Sequence, residues 1–135
     1  MLVVDQDLLE TVDLLVPNEH EAELLTGAHD PRTAAETLLA GGAPAVAVTM
    51  GRRGCLYADR SGVVEVPAIE VPTVDTTAAG DTFVAALTLA LAEGRTLPEG
   101  LEWATAAAAL SVQRRGASAS MPYRHEIDAL IAATR

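Results

Sequence analysis

The chain has 135 residues, half of them hydrophobic and 3% aromatic, with a formal net charge of -10. That length fits one domain, and the acidic balance argues against nucleic acid or an anionic membrane as partner, since nothing would neutralise their phosphates. A single cysteine, Cys55, excludes an intramolecular disulfide and a multi-cysteine metal centre.

The composition is that of a reducing compartment, and no basic-plus-apolar leader opens the chain. The longest nearly uncharged apolar run, Phe83 to Ala92, is too short to span a bilayer. The expected location is the cytoplasm. Net charge does not forbid one bound nucleotide, because local dipoles can hold a small anion. An acidic nucleotide binder is expected to bring a divalent cation with it.

In chain order, Leu2-Val3-Val4 reads as the stub of a strand that has lost its beginning. Asp13 to Pro17 reads as a strand ended by proline. Asn18 opens a helix through Leu25, closed by Gly27. A second helix starts at Pro31, repeats apolar residues at Ala34, Ala35, Leu38 and Leu39, and ends at Gly41-Gly42. Ala45 to Thr49 is a continuous apolar run with β-branched residues, the pattern of a strand buried on both faces. A turn from Gly51 to Gly54 leads into a hairpin, Gly54–Ala58 and Val63–Val66, joined by Asp59-Arg60-Ser61-Gly62. After a stretch punctuated by Pro67 and Pro72, three helices follow: Gly80-Asp81 to Glu93 with Gly94 as its stop, Pro98 to about Arg114, and Arg124 to Ala133. This succession indicates an α/β class with a mainly parallel sheet.

The chemistry concentrates in Asp75-Thr76-Thr77-Ala78-Ala79-Gly80-Asp81. Small residues at Ala78, Ala79 and Gly80 let the backbone approach a ligand closely. The free N–H groups of the following helix start form an anion site. Phosphoryl transfer needs positioned donors where negative charge develops and a base for the incoming hydroxyl. Asp81 stands at the same helix start, where the dipole favours a carboxylate. The plainer alternative makes Asp81 a helix N-terminal carboxylate and Asp75 an Asx-turn former.

The full run Val74 to Phe83 closely resembles the signature of the ribokinase-like (PfkB) sugar kinases, with Ala-Ala-Gly-Asp where many members have Gly-Ala-Gly-Asp. The resemblance implies that Asp81 is the catalytic base, touching the sugar hydroxyl, and that Ala78, Ala79 and Gly80 form the anion hole with it. Pro17 to Glu23 resembles the family's N-x-x-E motif, which implies that Asn18 and Glu21 help organise magnesium and phosphates. A capping box built on the same two residues is the alternative, and both can hold. Thr49-Met50-Gly51-Arg52-Arg53-Gly54 resembles the T-x-G-x-x-G loop that lines the nucleotide site. A plain hairpin turn is the alternative there.

Ala104 to Arg124 resembles the family segment that wraps a monovalent cation beside the nucleotide. By position the implied cation ligands are Asp75, Thr77, Ser111, Arg114, Gly116 and Ser120, several through backbone carbonyls. The alternative is a helix C-terminus, with Arg114 and Arg115 complementing the dipole and Gly116 as stop. Thr105 stands where relatives often place a His or Asn toward adenine. Cys55 and Trp103 read as core residues. His20, His29 and His125 lack ligand spacing.

The resemblance implies a ribokinase-like three-layer α/β/α fold, present here as its C-terminal, nucleotide-binding part, without the half that supplies most sugar contacts and the lid. The activity implied is ATP-dependent phosphorylation of the 5-hydroxyl of D-ribose, with Mg2+ and a stimulating K+. Another sugar or nucleoside kinase of the family, and a nucleotide-binding fragment without turnover, stand as alternatives. A sheet lacking its neighbouring strands would expose an edge. Marginal stability, self-association into a homo-oligomer or dependence on a partner is therefore expected.

Overall fold

The computed structural model describes residues 3–135, which divide into two compact units, residues 3–67 and 68–135. Leu2 of the expected strand stub lies outside the described residues. Val3 and Val4 form no strand; the Val3 amide instead donates to the Leu25 carbonyl at 2.9 Å.

The first unit begins with a short helix, α1 (Gln6–Thr11), that the sequence reading did not anticipate. Asp5 caps it, accepting the Asp7 amide at 3.0 Å, and Leu9 is buried. Six residues are too few to show an apolar period, which is why it escaped notice. Helix α2 (Glu19–Thr26) starts at a full capping box, where Asn18 Oδ1 accepts the Glu21 amide and Glu21 Oε2 accepts the Asn18 amide. Such a cap contributes about 1 kcal/mol. Gly27 ends α2 at φ 75, a left-handed conformation that only glycine takes cheaply. Helix α3 (Pro31–Ala40) has Asp30 as its cap and Pro31 in its first turn.

Three strands follow: β1 (Ala45–Thr49), β2 (Cys55–Asp59) and β3 (Gly62–Val66). They pair antiparallel in the order β1-β2-β3, with Val46 opposite Ala58 and Val48 opposite Leu56. The sheet is therefore not mainly parallel as expected. The tight 51–54 turn and the two-residue turn at Arg60-Ser61 leave no room for the crossover that parallel neighbours need. Among the described residues parallel pairing is confined to the segment at Leu15 and Asn18, which bridges Val46 and Thr49. There the Leu15 amide donates to Ala45, and the Ala47 and Thr49 amides donate to Leu15 and Pro17, at 2.8–3.0 Å. Alternation along the strands sends Val46, Val48, Leu56 and Ala58 into one core with Leu9, Ala22, Ala34, Ala35 and Leu38 from the helices.

The second unit is helical: α4 (Ala79–Ala92), α5 (Leu97–Val112) and α6 (Arg124–Thr134). Helices α4 and α5 meet through alanines, with Ala86, Ala90, Ala104, Ala106 and Ala107 all buried. Gly100 belongs to this seam; a Cβ there would sit 3.3 Å from Leu87 Cδ1. Trp103 is buried, donates Nε1–H to Asp128 at 2.8 Å, and has the guanidinium carbons of Arg95 and Arg124 at 4.8 and 5.4 Å from its ring centroid. Helix α5 ends at Val112, two residues before the expected Arg114. No described helix is long and apolar enough to cross a membrane.

Candidate active site

In the first unit, the parallel pairing decides which motifs meet. The Asn18–Thr49 bridge places the N-x-x-E segment beside the start of the T-x-G-x-x-G loop, beyond the carboxyl ends of two parallel segments. Open α/β sheets bind ligands at such ends. Residues Gly51–Arg53 form one turn of 3-10 helix, closed by the Met50 amide on the Gly54 carbonyl at 2.8 Å. Gly51 at φ 56 and Gly54 at φ 92 explain both glycines of the motif. Arg53 forms an ion pair with Glu19, tying the turn to the first residue of α2. Arg52 is exposed and makes no ion pair among the described residues. Sequence reading missed Glu19, because its partner lies far along the chain and no local spacing marks it.

Asn18 and Glu21 form the capping box, so the plainer of their two readings is correct. It does not consume them. Among the described residues the Asn18 side-chain amide nitrogen and Glu21 Oε1 have no hydrogen-bond partner. They remain available as one donor and one acceptor.

In the second unit, Asp75, Thr77, Gly116 and the end of α5 come together. Both the Val74 and Asp75 amides donate to the Val112 carbonyl, at 2.7 and 3.1 Å. Asp75 Oδ1 accepts the Thr77 amide at 2.9 Å and the Thr77 hydroxyl, while Oδ2 accepts the Gly116 amide at 3.0 Å. Asp75 is thus an Asx-turn former, and it is also the clasp between two loops 41 positions apart in sequence. The Thr77 hydroxyl, then the Gly116 and Thr77 amides, draw its carboxyl down from 3.8 to about 2.

A pH prediction follows from that shift. A depressed carboxyl stabilises the fold fully above its unfolded value of 3.8 and loses that contribution as pH falls toward about 2. Asp75→Asn is expected to melt below the wild type at neutral pH, with the gap closing as pH drops through that window. A gap independent of pH, read from paired thermal melts, would show that the carboxylate charge is not what holds the loops.

The remaining candidate cation ligands divide. Ser111 and Ser120 are fully buried, with hydroxyls 3.2 Å apart. Ser120 donates to the Ala117 carbonyl at 2.7 Å, so Ser111 is the donor between the two hydroxyls. The Arg114 guanidinium is engaged by Glu126, its Nη1 lying 3.2 Å from Oε2, so only its backbone could face a cation. Gly116, at φ 96, lies in the loop beyond the end of α5 and is not its stop. Among the described residues the carbonyl oxygens of Asp75, Thr77, Arg114 and Gly116 accept no hydrogen bond. A set of carbonyl oxygens suits a hard monovalent cation. No group of three His, Cys, Asp or Glu residues able to hold a metal occurs among the described residues.

The start of α4 holds the rest of the Asp75–Asp81 run. Ala78 precedes its first residue and offers no side-chain cap. The Ala79 amide donates to Thr76 at 3.2 Å and the Thr82 amide to Ala78 at 2.8 Å. Among the described residues the Gly80 and Asp81 amides between them have no acceptor. Gly80 is exposed, and a Cβ built on it meets nothing within 4 Å. The fold therefore does not require glycine there, whereas close approach of a ligand would. The Asp81 side chain is exposed in the first turn, without a hydrogen-bond or ion-pair partner among the described residues. Next to it, Thr82 is buried and its hydroxyl has no partner. Thr105, by contrast, donates its hydroxyl to the Leu101 carbonyl at 2.7 Å and has no donor left for an adenine. Cys55 is buried, which pushes its thiol up to about 12 and keeps it inert, as expected of a core residue.

The α4 start thus combines an exposed carboxylate, two helix-start amides without acceptors and an exposed glycine on an α/β scaffold. Residues 1–124 match the pfkB family carbohydrate kinase, and the chain belongs to that family. It is 40% identical over 134 residues to the ribokinase of Schizosaccharomyces pombe, covering 93% of this chain and 42% of that protein. Among solved structures, the ribokinase of Thermotoga maritima superposes with a TM-score of 0.91 at 38% identity, over 96% of this chain and 46% of that one. The Arabidopsis thaliana ribokinase complexed with ribose and ATP gives a TM-score of 0.88 at 35% identity, over 95% of this chain and 43% of that one. The Escherichia coli phosphofructokinase-2 in complex with potassium matches with a TM-score of 0.80 at 28% identity, over 92% and 42%. The fold is ribokinase-like, and the chain spans about 42% of the relatives' length.

Proposed function

We propose that this chain carries the nucleotide-binding and phosphoryl-transfer part of an ATP-dependent sugar kinase acting on the 5-hydroxyl of D-ribose. The observation that carries the proposal is the α4 start. There the unengaged Gly80 and Asp81 amides lie beside the free Asp81 carboxylate at a glycine with open space in front of it. In the reaction Asp81 takes the hydroxyl proton, and the hydroxyl oxygen forms a bond to the γ-phosphorus. The bond from that phosphorus to the β–γ bridging oxygen breaks, and ADP leaves with the electron pair. The Gly80 and Asp81 amides hold the equatorial oxygens as charge builds on them.

Asn18 and the 49–54 loop, including Met50 and Arg52, are assigned to the nucleotide, with Arg53 holding the loop to Glu19. Mg2+, when bound, neutralises charge on the β- and γ-phosphates. Glu21 Oε1, left over from the capping box, would help hold it. K+ is assigned to the carbonyls of the Asp75–Thr77 and Arg114–Gly116 loops, with Ser111 and Ser120 bracing the second loop. Ribose is chosen over other sugars on the strength of the ribokinase relatives, one of which was solved with ribose and ATP.

The span of about 42% of the relatives supports a second reading, a nucleotide-binding fragment without turnover. ADP release with ribose, ATP and Mg2+ separates the two. No ribose-dependent release at high protein concentration sinks turnover by the chain alone, and absence of calorimetric ATP binding sinks the nucleotide module.

Gly80→Ala gives a sharper test of the site. No atom stands in the way of the methyl, and alanine favours a helix, so the melting temperature is expected to hold or rise. ATP affinity is expected to drop about tenfold, the order of one lost hydrogen bond to a charged group. Unchanged affinity would remove the α4 start from the nucleotide site.

A further inference from the structure

In the second unit, the loop between α5 and α6 runs from Gln113 to Tyr123. One carboxylate holds it near both ends. Glu126, in the first turn of α6, accepts the Tyr123 amide on Oε2 at 2.7 Å. The same carboxylate takes the Arg114 guanidinium in a two-pronged contact, Nη1 donating to Oε2 at 3.2 Å and Nη2 to Oε1. Two further ties act inside the loop: the Gly116 amide donates to Asp75 Oδ2 at 3.0 Å, and the Ser120 hydroxyl meets that of Ser111. Between these ties lie the Arg114 and Gly116 carbonyl oxygens, which accept no hydrogen bond among the described residues.

A helix cap alone does not account for Glu126. Capping α6 needs only its bond to the Tyr123 amide. The second contact, to Arg114, joins residues 12 positions apart and adds nothing to the cap. Nor is it there chiefly for stability, since the two side chains are 35 and 26% exposed and an ion pair open to solvent contributes little. What a fork held at both prongs does supply is a fixed direction. It leaves Arg114, and with it the Arg114 carbonyl, little freedom to turn. We infer that Glu126 is a positioning residue for the cation loop: through Arg114 and Tyr123 it sets the orientation of the free carbonyl oxygens without touching the cation. The inference rests on the proposed assignment of K+ to this loop and adds the residue that holds the loop in shape.

The experiment follows the melting temperature of the chain against K+ concentration, because a cation that binds only the folded state raises it. Choline keeps the ionic strength constant, and Li+ serves as a cation of the wrong size. Glu126→Gln keeps an oxygen for the Tyr123 amide but loses the charged partner of Arg114. The K+ concentration for half-maximal stabilisation is expected to rise about tenfold, the low end for losing a group that orients a metal ligand. Arg114→Lys keeps the positive charge but cannot bridge two oxygens, so a rise of about tenfold is expected there too. The double variant is expected to be no worse than either single one, since both break the same contact. A lower melting temperature with an unchanged K+ midpoint marks a purely structural cap and overturns the inference. So does a loss in Glu126→Gln that Arg114→Lys does not share. If Glu126→Gln fails to fold, Arg114→Lys decides alone, because it leaves the Tyr123 cap in place. Absence of a K+-specific rise in the wild type overturns the cation assignment and the positioning role with it. An equal K+ response in the wild type and both variants overturns the positioning role only.

Discussion

Asp81→Asn is expected to lower the rate of ribose phosphorylation about a thousandfold, the middle of the range for losing a general base. Asparagine keeps the shape and the hydrogen-bonding oxygen but cannot take the hydroxyl proton. The side chain is exposed and makes no partner among the described residues, so the fold loses only a helix-dipole contribution of about 0.3–1 kcal/mol. ATP affinity is therefore expected to stay within about threefold, since the base acts on the sugar and not on the nucleotide. The measurement is ADP release at saturating ATP and ribose, paired with calorimetric ATP binding, on whichever preparation of the wild type turns over. A rate within about threefold of wild type would dismiss Asp81 as the base. An equal loss of rate and ATP affinity would reassign it to phosphate binding.

The largest stability effect is expected at Trp103. Its ring fills the junction of α5 with α6, the indole N–H donates to Asp128, and Arg95 and Arg124 stack on it. Arg124 is itself held by Glu93, just past the end of α4. Truncation to alanine removes a large buried side chain at about 3–5 kcal/mol. Each guanidinium stack adds about 0.5–1 kcal/mol at partly exposed positions. That sum rivals the whole stability of an ordinary small domain, about 5–15 kcal/mol. Trp103→Ala is expected to leave the second unit unfolded or molten at room temperature, seen as loss of near-ultraviolet circular dichroism. Trp103→Phe keeps most of the burial and one aromatic face, so a cost of only about 1–2 kcal/mol is expected for the lost hydrogen bond and volume. If alanine and phenylalanine cost the same, the indole N–H to Asp128 matters and the packing does not.

Much of this molecule is local, and the sequence determined it. The capping box at Asn18, the proline start at Pro31, the glycines at 27, 51 and 54 and the buried run at 45–49 each follow from nearest-neighbour sterics and hydrogen bonding. The same holds for the small residues ahead of Asp81, which leave the helix-start amides free. Those features appear in the structure at the expected positions, to within a residue or two. Helix α1 is too short to show a period, and the hairpin of β2 and β3 follows from its turn residues, but the antiparallel pairing of β1 with β2 does not, because an apolar run looks alike in parallel and antiparallel sheets.

Tertiary structure decided the rest. Asp75 could be read as a turn former from its neighbours, but its bond to Gly116 depends on where α5 delivers the chain. The sequence reading runs α5 to about Arg114, whereas the helix stops at Val112 and the Arg114 guanidinium is taken by Glu126, a choice made only once α6 packs back on α5. Glu19 and Arg53 meet because parallel pairing brings Asn18 beside Thr49. Such contacts join residues dozens of positions apart. No local propensity encodes them, since their geometry is fixed by packing of whole elements and not by the residues on either side.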